Sequence, residues 1–170
     1  MLATTVFLPL YLTESGSSIW LAGAALSIVE VAGVAGAFAG GWISDQVGRR
    51  AVLIFGQVAA PVALLFFLVA DGWVRVATLP LIGFSLLAVP PVFMALAQEQ
   101  APRSRALANG LYLSTTMVIR SVAAVAYGAF ADRFGLDTAM VMGAIAMIGG
   151  LPLIWLLFRP WVSSVGRETA

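Results

Sequence analysis

The stretch Gly40–Arg50, with the sequence GGWISDQVGRR, decides the fold, because small residues give way within it to one carboxylate and two guanidinium groups. An apolar segment precedes this stretch and another follows it, at about 18–44 and 51–70. Each segment is long enough to cross ~30 Å of hydrocarbon as an α-helix. We therefore predict that the charged stretch is a tight turn between two membrane-spanning helices.

The composition of the chain is that of a membrane protein. Of its 170 residues, 61% are hydrophobic and 10% are charged, whereas about 25% of the residues of a soluble domain are charged. The lipid bilayer is therefore the first expected partner. The chain has no cysteine and no histidine, which excludes disulfides and the usual soft-metal sites and leaves no predicted metal or cofactor. Its net charge is +1 and its arginines are scattered, so no nucleic-acid surface is predicted.

Hydropathy divides the chain into six apolar segments joined by short polar loops. They lie at about 1–12, 18–44, 51–70, 73–98, 106–131 and 138–158. This pattern predicts an all-α polytopic bundle of about six transmembrane helices over residues 1–158, followed by a polar cytoplasmic tail over 159–170. The first segment is too short to cross a bilayer, so we expect either a start upstream of Met1 or a chain cut inside a span.

The arginines predict the orientation of the spans. If the Gly40–Arg50 turn is cytoplasmic, the cytoplasmic side carries six arginines and the other side carries two, as the positive-inside rule requires. The first group is Arg49, Arg50, Arg103, Arg105, Arg159 and Arg167, the second is Arg75 and Arg133, and Arg120 belongs to neither.

Two glycines stand at fixed offsets from the acid of the turn. Gly41, Asp45 and Gly48 are followed at once by Arg49 and Arg50, in the pattern G-x-x-x-D-x-x-G-R-R. This pattern resembles the loop signature of the major facilitator superfamily of transporters, which joins the second and third helices of each six-helix half. The resemblance implies a gating loop, whose acid and arginines link helix ends on the cytoplasmic side and separate as the two halves rock. The alternative is that these are ordinary charges that anchor helix ends at a membrane surface.

Two further residues bear on the expected gating loop. Glu99 ends the fourth segment on the same side and is expected to join Asp45 and Arg49 or Arg50 in one cluster. Asp45 lies at the carboxyl end of its own helix, where the helix dipole disfavours a negative charge, so it is expected to seek an arginine or a helix amino terminus. Gln46 departs from the family pattern, which usually has a basic residue directly after the acid, and this weakens the expectation of a charge relay.

A second copy of the pattern lies 87 positions further on, at the exit of the fifth segment. Gly128, Asp132 and Gly135 repeat G-x-x-x-D-x-x-G, with Arg133 after the acid. Three spans separate the two copies, so they must emerge on opposite faces of the membrane. Inverted three-plus-three repeats of this kind build each half of a major facilitator transporter. The resemblance is to the carboxyl-terminal half of that family with its first helix truncated, which implies a missing amino-terminal half or a homodimer mate as partner.

Two ionisable residues lie deep in the spans, Glu30 near the middle of the second segment and Arg120 near the middle of the fifth. Either charge, buried alone, would be costly. One expectation is that they neutralise each other and hold two helices together. The other is that one or both bind an ionic substrate or carry coupling protons. Arg120 shares a polar helix face with Asn109, Tyr112, Thr116 and Tyr127, which must face protein or a water-filled cavity.

The prolines of the fourth segment predict a helix break. Pro80 and the pair Pro90–Pro91 lie within it, and proline removes a backbone donor and clashes with the preceding turn. Carbonyl groups left without a donor at membrane depth are tolerated only beside protein or a cavity. We therefore expect a hinge that lines the transport path, or a static kink with no role.

The resemblance implies secondary active transport of a small solute by alternating access, with protons as the expected coupling ion and the bacterial inner membrane as the expected location. The sequence contains no nucleotide-binding or catalytic motif, so no enzymatic activity is predicted. The alternative function is that of a non-transporting membrane fragment or scaffold that packs against a partner membrane protein.

Overall fold

A computed structural model describes residues 2–156 of the chain, and all regular structure in that range is α-helical. The helices are α1 (Leu2–Glu14), α2 (Ile19–Val47), α3 (Arg49–Val69), α4 (Gly72–Leu87), α5 (Val89–Gln100), α6 (Arg105–Phe134) and α7 (Leu136–Ile148). After α7 a turn at 149–150 leads into further helix at 151–156. The predicted tail over 159–170 and the last residues of the sixth segment lie outside the described range.

Five stretches of helix are long and apolar enough to cross a membrane. They are α2, α3, the combined span of α4 and α5 (Gly72–Gln100), α6, and α7 with its continuation (Leu136–Leu156). These five spans and α1 correspond one to one to the six predicted segments. With 13 residues, α1 is much shorter than any of the five.

Two single glycines reverse the chain direction between long helices. Gly48 separates α2 from α3 with φ of 100°, and Gly135 separates α6 from α7 with φ of 84°. Only glycine adopts such a conformation without strain. Because three spans lie between the two turns, they stand at opposite ends of the bundle, which we call the Gly48 end and the Gly135 end.

The neighbours of each helix define two layers. The span of α4 and α5 packs against α2, α3 and α6, while α1 packs against α2, α6 and α7. Helices α3 and α7 pack on each other behind them. The main core between the layers contains Leu8, Val29, Phe67, Ile82 and Met140, each at most 2% exposed. Helix α6 is the most peripheral, because none of its residues is buried.

Glycines let α2 and α4 approach each other at backbone distance. A Cβ atom built on Gly36 would lie 2.7 Å from the Cα of Phe84, and one on Gly40 would lie 2.8 Å from the Cα of Ala88. A Cβ on Gly83 would in turn lie 2.8 Å from the backbone carbonyl carbon of Val29. Real Cβ atoms do not come this close to backbone atoms, so side chains larger than hydrogen are excluded along this contact.

The fourth span breaks two residues before Pro90. Helix α4 ends at Leu87 and α5 begins at Val89, with the proline pair in the first turn of α5. Proline is favoured there because the first turn of a helix needs no internal N–H donors. Pro80 lies inside α4 without ending it. The break therefore agrees with the prediction for Pro90 and Pro91, while a hinge motion stays a prediction for all three prolines.

Candidate functional site

At the Gly48 end, Arg49 gathers three acceptors from two other helices. Its Nη1 lies 2.6 Å from Asp45 Oδ1 and donates at 2.6 Å to Ser44 Oγ. Its Nη2 and Nε both donate to Glu99 Oε1, at 2.8 and 3.1 Å. Asp45 and Ser44 end α2, Arg49 begins α3 and Glu99 ends α5. We call these four residues the Arg49 cluster; it fastens three helix ends together.

The local sequence explains why this cluster forms. Gly48 turns the chain so sharply that Asp45 and Arg49 keep the four-residue spacing of helical neighbours across the turn. Asp45 takes a cation, as expected for an acid at the carboxyl end of a helix. Ser44 is only 2% exposed, and its hydroxyl donates to the carbonyl oxygen of Gly41 while it accepts from Arg49.

The ion pairs of the Arg49 cluster lie partly in solvent. The side chain of Arg49 is 22% exposed, that of Asp45 64% and that of Glu99 47%. Ion pairs at this level of exposure each contribute about 0.2–1 kcal/mol, since water screens the attraction. The cluster can therefore hold three helix ends together and still separate at low cost.

The structure decides between the two arginines that the sequence left open. Arg49 forms the cluster, and Arg50 makes no ion pair within the described residues. Ser44 was missed as a member, because a serine among small residues was interpreted only as part of a helix-packing stripe. Its position one residue before Asp45 was the available signal.

The repeat turn has the same backbone and different chemistry. Gly48 and Gly135 share a positive φ and ψ values of 146° and 157°, and each donates its N–H to the carbonyl oxygen four residues earlier. The position equivalent to Arg49 is Leu136, which is buried. Asp132 and Arg133 are exposed and form no ion pair in the described part of the chain. The repeat turn therefore has no counterpart of the Arg49 cluster.

The predicted polar face of α6 is partly turned towards the broken span. Gln98 Nε2 donates to Asn109 Oδ1 at 2.9 Å, and the Tyr112 hydroxyl donates to the carbonyl oxygen of Pro90 at 3.1 Å. The Thr116 hydroxyl donates back to the carbonyl oxygen of Tyr112 at 2.6 Å. Two of the predicted polar side chains thus join α6 to α5 beside the helix break.

Further along the same face of α6, polar atoms lack partners. Arg120 Nε and the Tyr127 hydroxyl are buried and make no hydrogen bond. The Tyr127 ring packs on Phe7 of α1, with centroids 4.9 Å apart. Buried donors without acceptors are costly, so this part of α6 offers a cation and a hydroxyl to a group outside the described residues.

The expected contact between Glu30 and Arg120 is absent. Glu30 is exposed on α2, and neither residue belongs to an ion pair within the described residues. The physical reason is the helix arrangement: α2 and α6 share no extended contact, because α1 and the span of α4 and α5 lie between them. The prediction that these two charges neutralise each other is wrong for this fold.

Arg75 forms a contact that the sequence did not reveal. Its guanidinium carbon lies 4.7 Å from the ring centroid of Phe67 on α3 and 5.2 Å from that of Tyr11 on α1. Such cation–π contacts are strongest when desolvated, and both rings are buried. The sequence showed only an arginine near the start of a span, because the two rings come from distant segments.

Gln57 was expected to be a helix-packing contact, and the structure places it in that position. Its Nε2 donates to the carbonyl oxygen of Met147, so it joins α3 to α7 next to the turn at 149–150. The amide thereby satisfies a backbone group where the seventh helix is interrupted. This contact lies between the two rear helices, away from the Arg49 cluster and from α6.

Comparison with known proteins gives the family. The Major Facilitator Superfamily profile matches residues 1–168. An uncharacterized MFS-type transporter of Bacillus subtilis (strain 168), YfnC, is 31% identical over 137 residues, which is 77% of this chain and 33% of the relative. The chain thus spans about a third of the length of that relative. No solved structure matches it significantly. Membership of a family of transporters also agrees with the prediction that the chain is not an enzyme. The chain, a multi-pass helical membrane protein, belongs to the Major Facilitator Superfamily.

Proposed function

We propose that this chain is the carboxyl-terminal six-helix half of a secondary transporter, which moves a small solute across a bacterial cell membrane by alternating access. The observation that carries the proposal is the Arg49 cluster, in which exposed ion pairs fasten the ends of α2, α3 and α5. A gate must close and reopen during each cycle, and bonds of this strength permit both. The cluster is therefore the latch of the gating loop.

The neighbour pattern of the helices supports an inverted repeat. Let α1 correspond to the span of α4 and α5, α2 to α6, and α3 to α7. Each pair of packed spans then maps onto another packed pair: α1 with α2 onto α4–α5 with α6, α2 with α3 onto α6 with α7, and α2 with α4–α5 onto α6 with α1. In the same way α3 with α4–α5 maps onto α7 with α1, and the pair α3 with α7 maps onto itself. Packing that is closed under this exchange is what an inverted three-plus-three architecture requires.

The solute is proposed to carry an anionic group. Arg120 lies near the middle of α6 with its Nε buried and without an acceptor, two helical turns from the equally unpartnered Tyr127 hydroxyl. A cation at this depth needs a counter-charge, and no acid of the described residues supplies one. Asn109, Tyr112 and Thr116 continue the polar face towards the Gly48 end. Protons are the proposed coupling ion, because Glu30 is a carboxylate near the middle of a span without a cation beside it.

The test is solute flux in proteoliposomes that contain this chain alone or together with the part of YfnC outside the match. Flux of small anionic solutes is expected only when both parts are present. Arg49→Gln should abolish or strongly reduce it, whereas the matched control Arg50→Gln should not, because Arg50 makes no ion pair within the described residues. Saturable flux through the monomeric chain alone would refute the half-transporter proposal. Absence of flux with both parts present would favour the scaffold alternative.

A further inference from the structure

Helix α2 has three faces of different character. One is the glycine face that packs on α4, at Gly33, Gly36 and Gly40. A second is bulky, apolar and uncovered; Trp20, Val31, Phe38 and Trp42 on it are 67–80% exposed, as suits contact with lipid. The third face is also uncovered but consists mainly of small residues around a carboxylate: Gly23, Ser27, Glu30, Val34 and Gly41. We call it the Glu30 face. Its composition is unlike that of a surface made for acyl chains.

Space and charge both indicate that another helix covers the Glu30 face. A Cβ atom built on Gly23 or Gly41 would meet nothing within 4 Å, so neither glycine is required by packing inside this chain. Small residues on a membrane helix let a second helix approach closely. Glu30 lies between these glycines without a cation in the described part of the chain, and a carboxylate facing hydrocarbon at mid-span is costly.

The repeat supplies an independent observation. The positions 87 residues beyond the Glu30 face are Gly110, Ser114, Met117, Ser121 and Gly128, on the outer surface of α6. Four of these five residues are small, and the first four are exposed. The two flanking helices of the bundle thus carry matching uncovered faces. Only the face on α2 carries a charge, because Met117 stands where Glu30 does.

We propose that the Glu30 face docks a membrane helix of a second half of this transporter, and that a basic side chain on that helix pairs with Glu30. The chain spans 33% of its relative YfnC, so a protein of this family has ample chain outside this bundle to supply the helix. A second copy of this chain fits less well, because a symmetric contact through this face would bring two Glu30 carboxylates together. The inference rests on the proposed function, since it assumes a second half.

The test is co-purification of the tagged full chain with the part of YfnC outside the match, expressed as a separate polypeptide in the same cells. Glu30→Gln and Glu30→Lys are expected to weaken the complex about 30-fold or more, because removing one member of a desolvated ion pair leaves the other charge unpaired. The control Val31→Ala lies one position away on the lipid face and should bind as the original chain does. Replacing the basic residues in the spans of the YfnC part by glutamate, one at a time, should restore binding to Glu30→Lys at one position.

Each outcome decides a different point. If the original chain binds and both Glu30 variants bind equally well, the inference is refuted and the half-transporter proposal stands. The inference also fails if Glu30→Lys binds poorly and no single glutamate in the YfnC part restores it. If the original chain does not bind the YfnC part at all, the half-transporter proposal fails together with the inference. A tagged chain that captures an untagged copy of itself through Glu30 would show a homodimer instead.

Discussion

The glycine contact between α2 and α4 gives the sharpest test of the fold. In Gly36→Ala, the added methyl group would lie 2.7 Å from the Cα and 2.8 Å from the carbonyl carbon of Phe84. Backbone atoms of a packed helix cannot rotate away, so α2 and α4 must separate. Gly41→Ala is the matched control, because the same methyl group would meet nothing within 4 Å at that position of the same helix.

The expected difference between the two variants follows from the geometry. Replacing glycine by alanine inside a helix gains about 1 kcal/mol of helix propensity, and this gain is common to both positions. Forcing a methyl group into a packed interface costs about 1–3 kcal/mol. Gly36→Ala should therefore be less stable than Gly41→Ala by about 1–3 kcal/mol. At about 3 °C per kcal/mol for a chain of this size, the thermal midpoint should be lower by roughly 3–9 °C.

The measurement is thermal unfolding of the purified chain in detergent, followed by the fluorescence of its five tryptophans. Both variants should first be shown to be monodisperse at room temperature. Equal midpoints for Gly36→Ala and Gly41→Ala would mean that α2 and α4 are not in backbone contact. The arrangement of α2 against the broken span would then be wrong, and with it the separation of Glu30 from Arg120.

Three further predictions concern the ends and the middle of the bundle. Glu30→Gln and Arg120→Gln should change the thermal stability of the isolated chain additively, to within about 0.5 kcal/mol, because the two residues do not meet; a larger coupling energy would restore the ion pair between them. Gly135→Ala should lower stability by about 1–3 kcal/mol, since φ there is 84°, and an unchanged midpoint would argue against this turn. In intact cells an impermeant thiol reagent should label Ser17→Cys and not Ser104→Cys, and the reverse pattern would invert the proposed orientation.

The number of helices and their approximate ends were predictable from the sequence because of simple physics. Segments of about 20 apolar residues in a chain with 10% charged residues have one stable solution in a bilayer. The turns at Gly48 and Gly135 were predictable for a related reason, since a glycine beside charged residues interrupts two long apolar runs. The break before Pro90 followed from the missing N–H of proline.

The lateral arrangement of the helices was not predictable in the same way. Every span is apolar on most of its surface, so hydropathy does not say which face meets protein and which meets lipid. The small residues of α2 were interpreted as one stripe around Glu30, whereas they form two faces, one packed on α4 and one uncovered. This ambiguity produced the error about Glu30 and Arg120. The contact between Arg75 and two aromatic rings was hidden because it depends on the packing of three helices.

The two ends of α3 are fastened by interactions of different strength, and this difference bears on where the half can open. At the Gly48 end, Arg49 holds Asp45 and Glu99 through ion pairs with side chains 47–64% exposed on the acidic partners, each contributing about 0.2–1 kcal/mol. At the Gly135 end, Arg75 lies between the buried rings of Phe67 and Tyr11, a contact of about 2 kcal/mol or more when desolvated. Separating α3 from its neighbours is therefore cheaper at the Gly48 end. A latch that must break in every cycle belongs at the end with the weaker bonds, which supports the Arg49 cluster as the gate and Arg75 as the fixed anchor of the same helix.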